Sequence, residues 1–323
     1  MPNPLLTPEL LRRLEQFQLL AARRAKSSSR GERRSRARGQ SVEFADYRTY
    51  VHGDDFRYLD WNLYGRLERL FLKLYEEERE LPVRIFLDAS ESMTFGEPRK
   101  FDFARRVAAA IGYVALCGFD RVSIIPFPSL ENRRSPDHAT RNTQYAPRPA
   151  DAASQTAELA ARGALRSVRG KKSALSFFQN ITALTAGGPA DLNEALRRGA
   201  LEARQAGLAV VLSDFLDPAG YESGLNALVG RGFQVDIVQI LAPEELSPST
   251  FGDLRLVDSE TGAVQEVTFG RYRMKAYVQA VQNYLQRMRE FCQKRGINFF
   301  TASSNTALEE LLLRQLRKAE VWS

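Results

Sequence analysis

Short apolar runs alternate with longer amphipathic segments through most of the chain after residue 82. The runs that predict buried strands are 83–88, 121–127, 208–213, 233–241 and 297–301. The segments whose apolar residues recur at helical spacing predict helices at 100–117, 173–185, 191–205, 219–230, 271–294 and 306–318. Strands that are apolar on both faces are typical of a parallel sheet covered by helices on both sides. The pattern therefore predicts an α/β fold with a doubly wound, mostly parallel sheet.

Before residue 82 the pattern predicts a smaller, β-containing appendage. An amphipathic helix is predicted at 5–25, and two strands, 41–50 and 68–75, flank a short helix at 56–66. We expect three regions: a helix and basic arm at 1–38, a β/α appendage at 39–81, and the main domain at 82–323.

Two excursions interrupt the main domain. Residues 128–172 are rich in Pro, Ala, Ser and Arg and predict an irregular insertion with one Ala-rich helix near 153–167. Residues 252–269 contain two short β-type runs around a Ser-Glu-Thr-Gly turn and predict a hairpin.

The net charge of +7 lies in the first part of the chain. Residues 1–39 contain ten Lys or Arg and three acids. Residues 12–38 are expected either to contact a polyanion, such as nucleic acid or anionic lipid, or to remain a solvated tail on the protein's own domain. The sequence contains no transmembrane or secretory pattern and two distant cysteines, which favours a reducing cytoplasm.

Oxygen-bearing side chains follow two of the predicted strands. Asp88, Ser90 and Ser92 form an Asp-x-Ser-x-Ser turn after the first strand of the main domain, and Asp214 follows the strand 208–213. Neighbouring parallel strands would bring both carboxylates to one cleft at the carboxyl edge of the sheet. Such oxygens suit Mg²⁺ or Ca²⁺, although hydrogen-bonded turn caps explain the same residues.

This motif resembles the metal-ion-dependent adhesion site of the von Willebrand factor A domain. The resemblance implies a doubly wound sheet of that type and an ion held by Asp88, Ser90, Ser92 and Asp214. The family's Thr ligand is absent, since Gly187 to Ala190 read Gly-Gly-Pro-Ala, and Asp191 is the candidate substitute. An acidic residue of a partner would complete the ion's coordination. Glu91 and Asp217 are the candidate partner-binding residues beside it.

A longer signature covers nearly the whole chain. Its elements are Gly39 to Arg48, Gly53-Asp54-Asp55-x-Arg57, Asp60-Trp61-Asn62, and Phe71-x-Lys73 to Glu80. It resembles the domain of unknown function 58 family. That resemblance implies a bacterial or archaeal cytoplasmic protein that works with a MoxR-type AAA+ ATPase in the assembly or maturation of another complex.

The charged and aromatic residues of the signature have two interpretations. In the first, the Asp and Arg side chains form ion pairs that fasten the segment to the domain beside it, with Trp61, Tyr64 and Phe71 as packing anchors. In the second, they form a surface that binds a partner. In the main domain, Lys100 and Arg105 are expected to be exposed on the helix 100–117.

These observations predict a non-enzymatic protein–protein interaction module with a degenerate metal site. One alternative is a metal-dependent phosphohydrolase with Asp88 as nucleophile, but Ser90 stands where the general acid of haloacid dehalogenase-like enzymes would be. The other alternative is a tether through the basic arm.

Overall fold

The computed structural model describes residues 5–17, 43–76, 80–128, 167–248, 252–257 and 264–312. The chain forms two compact units, Arg24–Glu80 and Met1–Arg23 with Leu81–Ser323. The helices are α1 Pro8–Leu14, α2 Trp61–Leu67, α3 Lys100–Cys117, α4 Ala174–Thr182, α5 Leu192–Glu202, α6 Glu222–Gly230, α7 Pro243–Leu246, α8 Arg271–Gln293 and α9 Leu308–Glu310. The strands are β1 Glu43–Thr49, β2 Phe71–Glu76, β3 Pro82–Asp88, β4 Arg121–Phe127, β5 Val168–Arg169, β6 Leu208–Ser213, β7 Gln234–Leu241, β8 Gly252–Val257, β9 Val264–Phe269 and β10 Asn298–Ser303.

The larger unit is built on a six-stranded sheet with the order β10-β7-β6-β3-β4-β5. Five strands are parallel, and only the two-residue β5 pairs antiparallel, with β4. The chain passes from β3 to β4 on one side and returns to β6 on the other. The mostly parallel sheet is confirmed, and the order of its strands reverses between β3 and β6.

Helices cover both faces of this sheet because its strands are apolar on both sides. Val83 and Ile85 of β3 lie in a core with α1, α3 and α4, whereas Phe86 lies in a second core with α5, α6 and α8. All three side chains have no exposed surface. Burial of alternate side chains against two helical layers therefore fixes the direction in which β3 reaches the edge of the sheet.

Helix α1 belongs to the larger unit, where Leu10 and Leu14 are buried in the first core. The helix begins at Pro8 after the Thr7 cap, whose hydroxyl accepts the Leu10 N–H. It is shorter than the predicted helix at 5–25, and residues 18–25 lie outside the described part of the chain.

In the smaller unit, β1 and β2 pair antiparallel, with a bulge between Phe44 and Asp46. The predicted helix at 56–66 is divided into a 3-10 turn, Phe56–Tyr58, and α2, because Asp60 caps α2 by accepting the N–H groups of Asn62 and Leu63. The Tyr47 hydroxyl donates to the same carboxylate at 2.9 Å.

The charged signature residues pair within this unit. Arg48 lies 2.8 Å from Asp54, and Arg57 lies 2.6 Å from Asp55. Both pairs join residues of the same unit, so the predicted fastening of this segment to the main domain stays a prediction. The expectation that Trp61 and Tyr64 are packing anchors is wrong, since they are 62% and 44% exposed. Helix α2 has no buried residue, so its aromatic side chains face solvent.

Two elements of the larger unit were not predicted. Strand β5 lies at the end of the predicted insertion and has only two residues, too few for a periodic signal. Helix α7 is a single turn that begins at Pro243, directly after β7. Residues 129–166 of the insertion fall outside the described residues, and so does all of the predicted helix near 153–167 except residue 167.

The predicted hairpin is confirmed as β8 and β9. The final helix begins at Leu308, and residues 313–318 of its predicted range are not among those described. In the described ranges, no helix combines the length and the apolar character required to span a bilayer.

Candidate functional site

Asp88 and Asp214 meet at the carboxyl edge of the sheet. Leu87 on β3 pairs with Leu212 on β6, so Asp88, the last residue of β3, lies level with Ser213, and Asp214 follows directly. This edge lies where the strand order reverses, which is where open α/β sheets form clefts. The predicted convergence of the two strand ends is therefore present in the structure.

The Asp88 carboxylate is held by two hydrogen bonds and is 2% exposed. Its Oδ1 atom accepts the Ser90 N–H at 2.9 Å, and its Oδ2 atom accepts the Ser213 hydroxyl at 2.5 Å. Burial raises the pKa of Asp88 to about 7, and the nearby Asp214 charge adds to this, against the hydrogen bonds from Ser213 and Ser90. Asp88 therefore holds a proton for much of the time near neutral pH.

The Asp214 carboxylate is equally buried and is joined to the serine turn. Its Oδ2 atom accepts the Ser92 hydroxyl at 2.9 Å, and Ser92 Oγ lies 3.0 Å from Ser90 Oγ. Its Oδ1 atom accepts the Leu216 N–H at 3.0 Å. The structure thus brings all four predicted ligands, Asp88, Ser90, Ser92 and Asp214, into one network.

The backbone after Asp214 adopts an uncommon conformation. Phe215 has φ 59° although it is not glycine, and its side chain is 1% exposed. Its N–H donates to the Ser213 hydroxyl at 2.9 Å, and its carbonyl accepts the Tyr284 hydroxyl. A bulky residue in the left-handed region persists only where its surroundings hold it, as these contacts do.

Lys100, the first residue of α3, enters the same network. Its ammonium donates to Asp214 Oδ2 at 2.7 Å and to Glu245 Oε1 at 2.6 Å, and the side chain has no exposed surface. The expectation that Lys100 is exposed is wrong, because α3 begins beneath the carboxyl edge and points its first side chain inward. Arg105 is also partly buried, with 21% of its side chain exposed.

Glu245 supplies the second carboxylate around Lys100. It lies on α7, where its Oε2 atom accepts the Ala242 N–H at 2.7 Å and its backbone carbonyl accepts the Tyr277 hydroxyl at 2.9 Å. Burial raises the pKa of Glu245 although Lys100 opposes that shift. Burial also lowers the pKa of Lys100, but Asp214 and Glu245 together raise it above its ordinary value, so the amine stays charged.

Sequence analysis missed the roles of Lys100 and Glu245, yet each has a local signal. A lysine at the first position of a helix meets the positive end of the helix dipole, which favours an anion beside it. Glu245 follows β7 within four residues, at the same edge of the sheet as Asp88 and Asp214.

The Gly187-Gly188 loop packs against the serine turn. Gly187 N–H donates to the Ala89 carbonyl at 2.7 Å, and Glu91 N–H donates to the Gly188 carbonyl at 2.8 Å. Both glycines have positive φ, 153° and 88°, which lets the loop approach so closely. Ala190, at the position of the missing Thr, has no oxygen in its side chain to coordinate an ion.

The other three predicted site residues, Asp191, Asp217 and Glu91, are partly exposed and form the rim around the buried network. Asp191 is partly buried, which raises its pKa together with the charges of Glu194 and Asp217. Asp217 accepts the Ala219 and Leu192 N–H groups and remains partly exposed, as does Glu91. Asp191 thus lies with Asp217, and none of its described hydrogen bonds reaches Asp88 or Asp214.

A divalent cation needs several oxygen ligands around one point. Within the described ranges, no three His, Cys, Asp or Glu side chains gather closely enough to hold a metal ion. Asp214 Oδ2 already accepts bonds from Lys100 and Ser92, so an ion on that oxygen would lie beside a positive ammonium. As arranged here, the donor set does not fit a divalent cation.

Relatives of the chain occur in mycobacteria. Uncharacterized proteins of Mycobacterium bovis and Mycobacterium tuberculosis are 27% identical over 261 residues, which cover 80% of this chain and 74% of each relative. Two solved structures are similar over 74% of the chain. One is the conserved hypothetical protein BatB from Bacteroides thetaiotaomicron, with 14% sequence identity, 98% of that chain covered and a TM-score of 0.41. The other is an aerotolerance-related membrane protein from Bacteroides fragilis, with 17% sequence identity, 99% of that chain covered and a TM-score of 0.38.

One protein family matches most of the sequence. The family described as protein of unknown function DUF58 matches residues 46–287, which include the signature from Asp46 onward, Asp88, Lys100, Asp214 and Glu245. The chain therefore belongs to the DUF58 family.

Proposed function

We propose that this protein is a non-enzymatic interaction module of the von Willebrand factor A type, which docks a protein partner at the carboxyl edge of its sheet. One observation carries this proposal: all four carboxylate oxygens of Asp88 and Asp214 accept hydrogen bonds inside the protein. Both residues are 2% exposed, so neither presents a free oxygen to a substrate. A nucleophile or general base needs access to the reacting atom.

The surface above this closed network suits docking. Phe95 follows the serine turn and is 51% exposed, and Leu216 follows Asp214 and is 47% exposed. Glu91 and Asp217 lie beside them and are partly exposed. Apolar side chains next to rim carboxylates supply contact area and orientation for a protein partner.

The proposed partner is a MoxR-type AAA+ ATPase, with which the protein would act in the assembly or maturation of another complex in the cytoplasm. This part of the proposal rests on the family signature at residues 39–80 and on membership of the family. The ATPase would supply the mechanical work, and the site described here would supply recognition.

Binding between the two purified proteins tests the proposal. The variant Glu91→Ala with Asp217→Asn removes the charges of both side chains and keeps one acceptor oxygen at position 217 for the Ala219 N–H. We expect about tenfold weaker binding, equivalent to about 1.4 kcal/mol. Glu290→Ala is the control, since Glu290 is an exposed acid near the end of α8, where β10 begins at the opposite edge.

Equal affinity of the rim variant and the unchanged protein would contradict docking at this edge. The enzymatic alternative has its own test. Phosphoester turnover by the purified protein that disappears in Asp88→Asn would contradict the non-enzymatic role.

A further inference from the structure

Lys100 is the one described lysine in the buried core of the larger unit, and it bridges two acids. A buried ammonium is costly unless opposite charges and hydrogen bonds surround it. Asp214 and Glu245 provide both, at 2.7 Å and 2.6 Å. The Phe95 ring, whose centroid lies 6.0 Å from the ammonium, adds a favourable aromatic face.

The ammonium is bound to one of the four predicted ion ligands, Asp214, through its Oδ2 atom. Ser92 Oγ and Lys100 Nζ both donate to Asp214 Oδ2, at 2.9 Å and 2.7 Å. An ion coordinated by this oxygen would be about 2.0–2.6 Å from it and so in direct competition with the ammonium. The ion and the ammonium would both be bound to this one oxygen, and two positive charges so close together repel strongly in a buried site.

The hydroxyl groups are also committed. The Ser92 hydroxyl donates a hydrogen bond to Asp214. Because its hydrogen is used there, the Ser90 hydroxyl is the donor in the hydrogen bond between Ser90 and Ser92. The network is therefore closed without an ion: it contains one ammonium, two ionisable acids in contact with it, and Asp88 held by Ser90 and Ser213.

We infer that Lys100 is the resident cation of this site and replaces the divalent ion that the Asp-x-Ser-x-Ser motif otherwise predicts. The site assembles without metal, and a metal site is latent in it. Removing the lysine would leave Asp214, Glu245 and the serine hydroxyls around an empty space with uncompensated negative charge. This inference goes beyond the proposed docking function and does not depend on it, since it concerns how the site is charged.

Metal titration of the full chain tests the inference. The melting temperature is measured in EDTA and in millimolar Mg²⁺, Ca²⁺ or Mn²⁺ at constant ionic strength, and binding is measured by calorimetry. For the unchanged protein we expect the melting temperature to agree within about 1 °C in all conditions and no saturable binding. The exposed Lys294→Ala is the matched control and should behave identically.

Lys100→Ala should melt at a lower temperature in EDTA and regain about 3 °C or more in Ca²⁺ or Mn²⁺. This increase in melting temperature should be absent from the double variant Lys100→Ala, Asp214→Asn, because the ion would lose its carboxylate ligand. A folded Lys100→Ala protein that gains nothing from any ion would overturn the latent site.

The unchanged protein supplies the second measurement, so the inference remains testable if Lys100→Ala does not fold. Saturable binding of one Mg²⁺ or Ca²⁺ ion to the unchanged protein, lost in Asp214→Asn, would overturn the role of Lys100 as resident cation. Absence of such binding in the unchanged protein supports it.

Discussion

The charge of Lys100 stabilises two acids whose burial is otherwise unfavourable. When one partner of a buried ion pair is removed, the charges left behind lose both their hydration and their compensation. Lys100→Met keeps the length and apolar part of the side chain but leaves Asp214 and Glu245 unpaired. We expect the free energy of unfolding to fall by about 3–5 kcal/mol, measured by urea denaturation.

The exposed Lys294→Met is the control and should change the free energy of unfolding by no more than about 0.5 kcal/mol. The triple variant Lys100→Met, Asp214→Asn, Glu245→Gln removes the charges together and should be more stable than Lys100→Met alone. If Lys100→Met is as stable as Lys294→Met, the ion pairs of Lys100 with Asp214 and Glu245 contribute nothing to the free energy of unfolding.

Asp88 makes stability depend on pH. Its pKa is about 7 in the folded protein and about 3.9 in an unfolded chain, so the folded state binds the proton more tightly. This contribution is fully present below about pH 4 and is lost as the pH rises to about 7, by up to about 1.4 kcal/mol per unit within that window.

Asp88→Asn has no charge to lose and should flatten this dependence. We expect the difference in free energy of unfolding between the variant and the unchanged protein to shift in favour of Asn as the pH rises from 5 to 8. Denaturant titrations at four pH values measure it. Parallel pH profiles for the two proteins would show that Asp88 is ionised in the folded state throughout.

Among the elements, the contact of α5 with β3 holds the strand that ends at Asp88. A methyl group on Gly199 would lie 2.4 Å from the Phe86 ring, and Phe86 is fully buried. Gly199→Ala should therefore lower the free energy of unfolding by about 1–3 kcal/mol, although Ala favours helix. Gly230→Ala on α6 is the control, since the space around it is open.

A Gly199→Ala protein as stable as Gly230→Ala, by urea denaturation, would show that α5 can move away from β3 at little cost. In that case Asp88 would not depend on this contact for its position.

The elements differ in how well the sequence predicts them. Strand β4 and helix α3 have the bounds that the apolar pattern predicts, because each buries a periodic set of side chains. Strand β5 and helix α7 escape prediction because two and four residues are too short to show a period. Helix α7 nevertheless supplies Glu245, so a short element was decisive for the site.

At the scale of the whole molecule, the winding of the sheet determines which residues meet. Alternating strands and helices predict a mostly parallel sheet, and the motifs at Asp88 and Asp214 can be recognised in the sequence. The structure adds that β3 and β6 are neighbours at the reversal of the strand order. The pairing of Lys100 with Glu245 cannot be recognised in the sequence, because 145 residues separate them and only the folded edge of the sheet brings them together. The sequence therefore predicts Asp88 and Asp214 but not the ion pairs that Lys100 forms with Asp214 and Glu245.

The basic arm, residues 12–38, is the part of the molecule predicted to contact a polyanion. Its predicted contact with a polyanion stays a prediction, since residues 18–42 are not described. Arg13, within α1, is already paired with Glu9 at 3.2 Å and with Glu309 at 3.4 Å. Any polyanion contact would therefore fall mainly to the residues that follow α1.

The ammonium group of Lys100, rather than a bound ion, joins Asp214 and Glu245 at the edge of the sheet. A crystal structure determined near pH 7 from crystals grown with Mg²⁺ or Ca²⁺, with anomalous data after Mn²⁺ soaking, tests it most directly. We expect Lys100 Nζ between Asp214 and Glu245 and no anomalous peak at Asp88, Ser90, Ser92 or Asp214. An ion coordinated there, with Lys100 turned away, would contradict it.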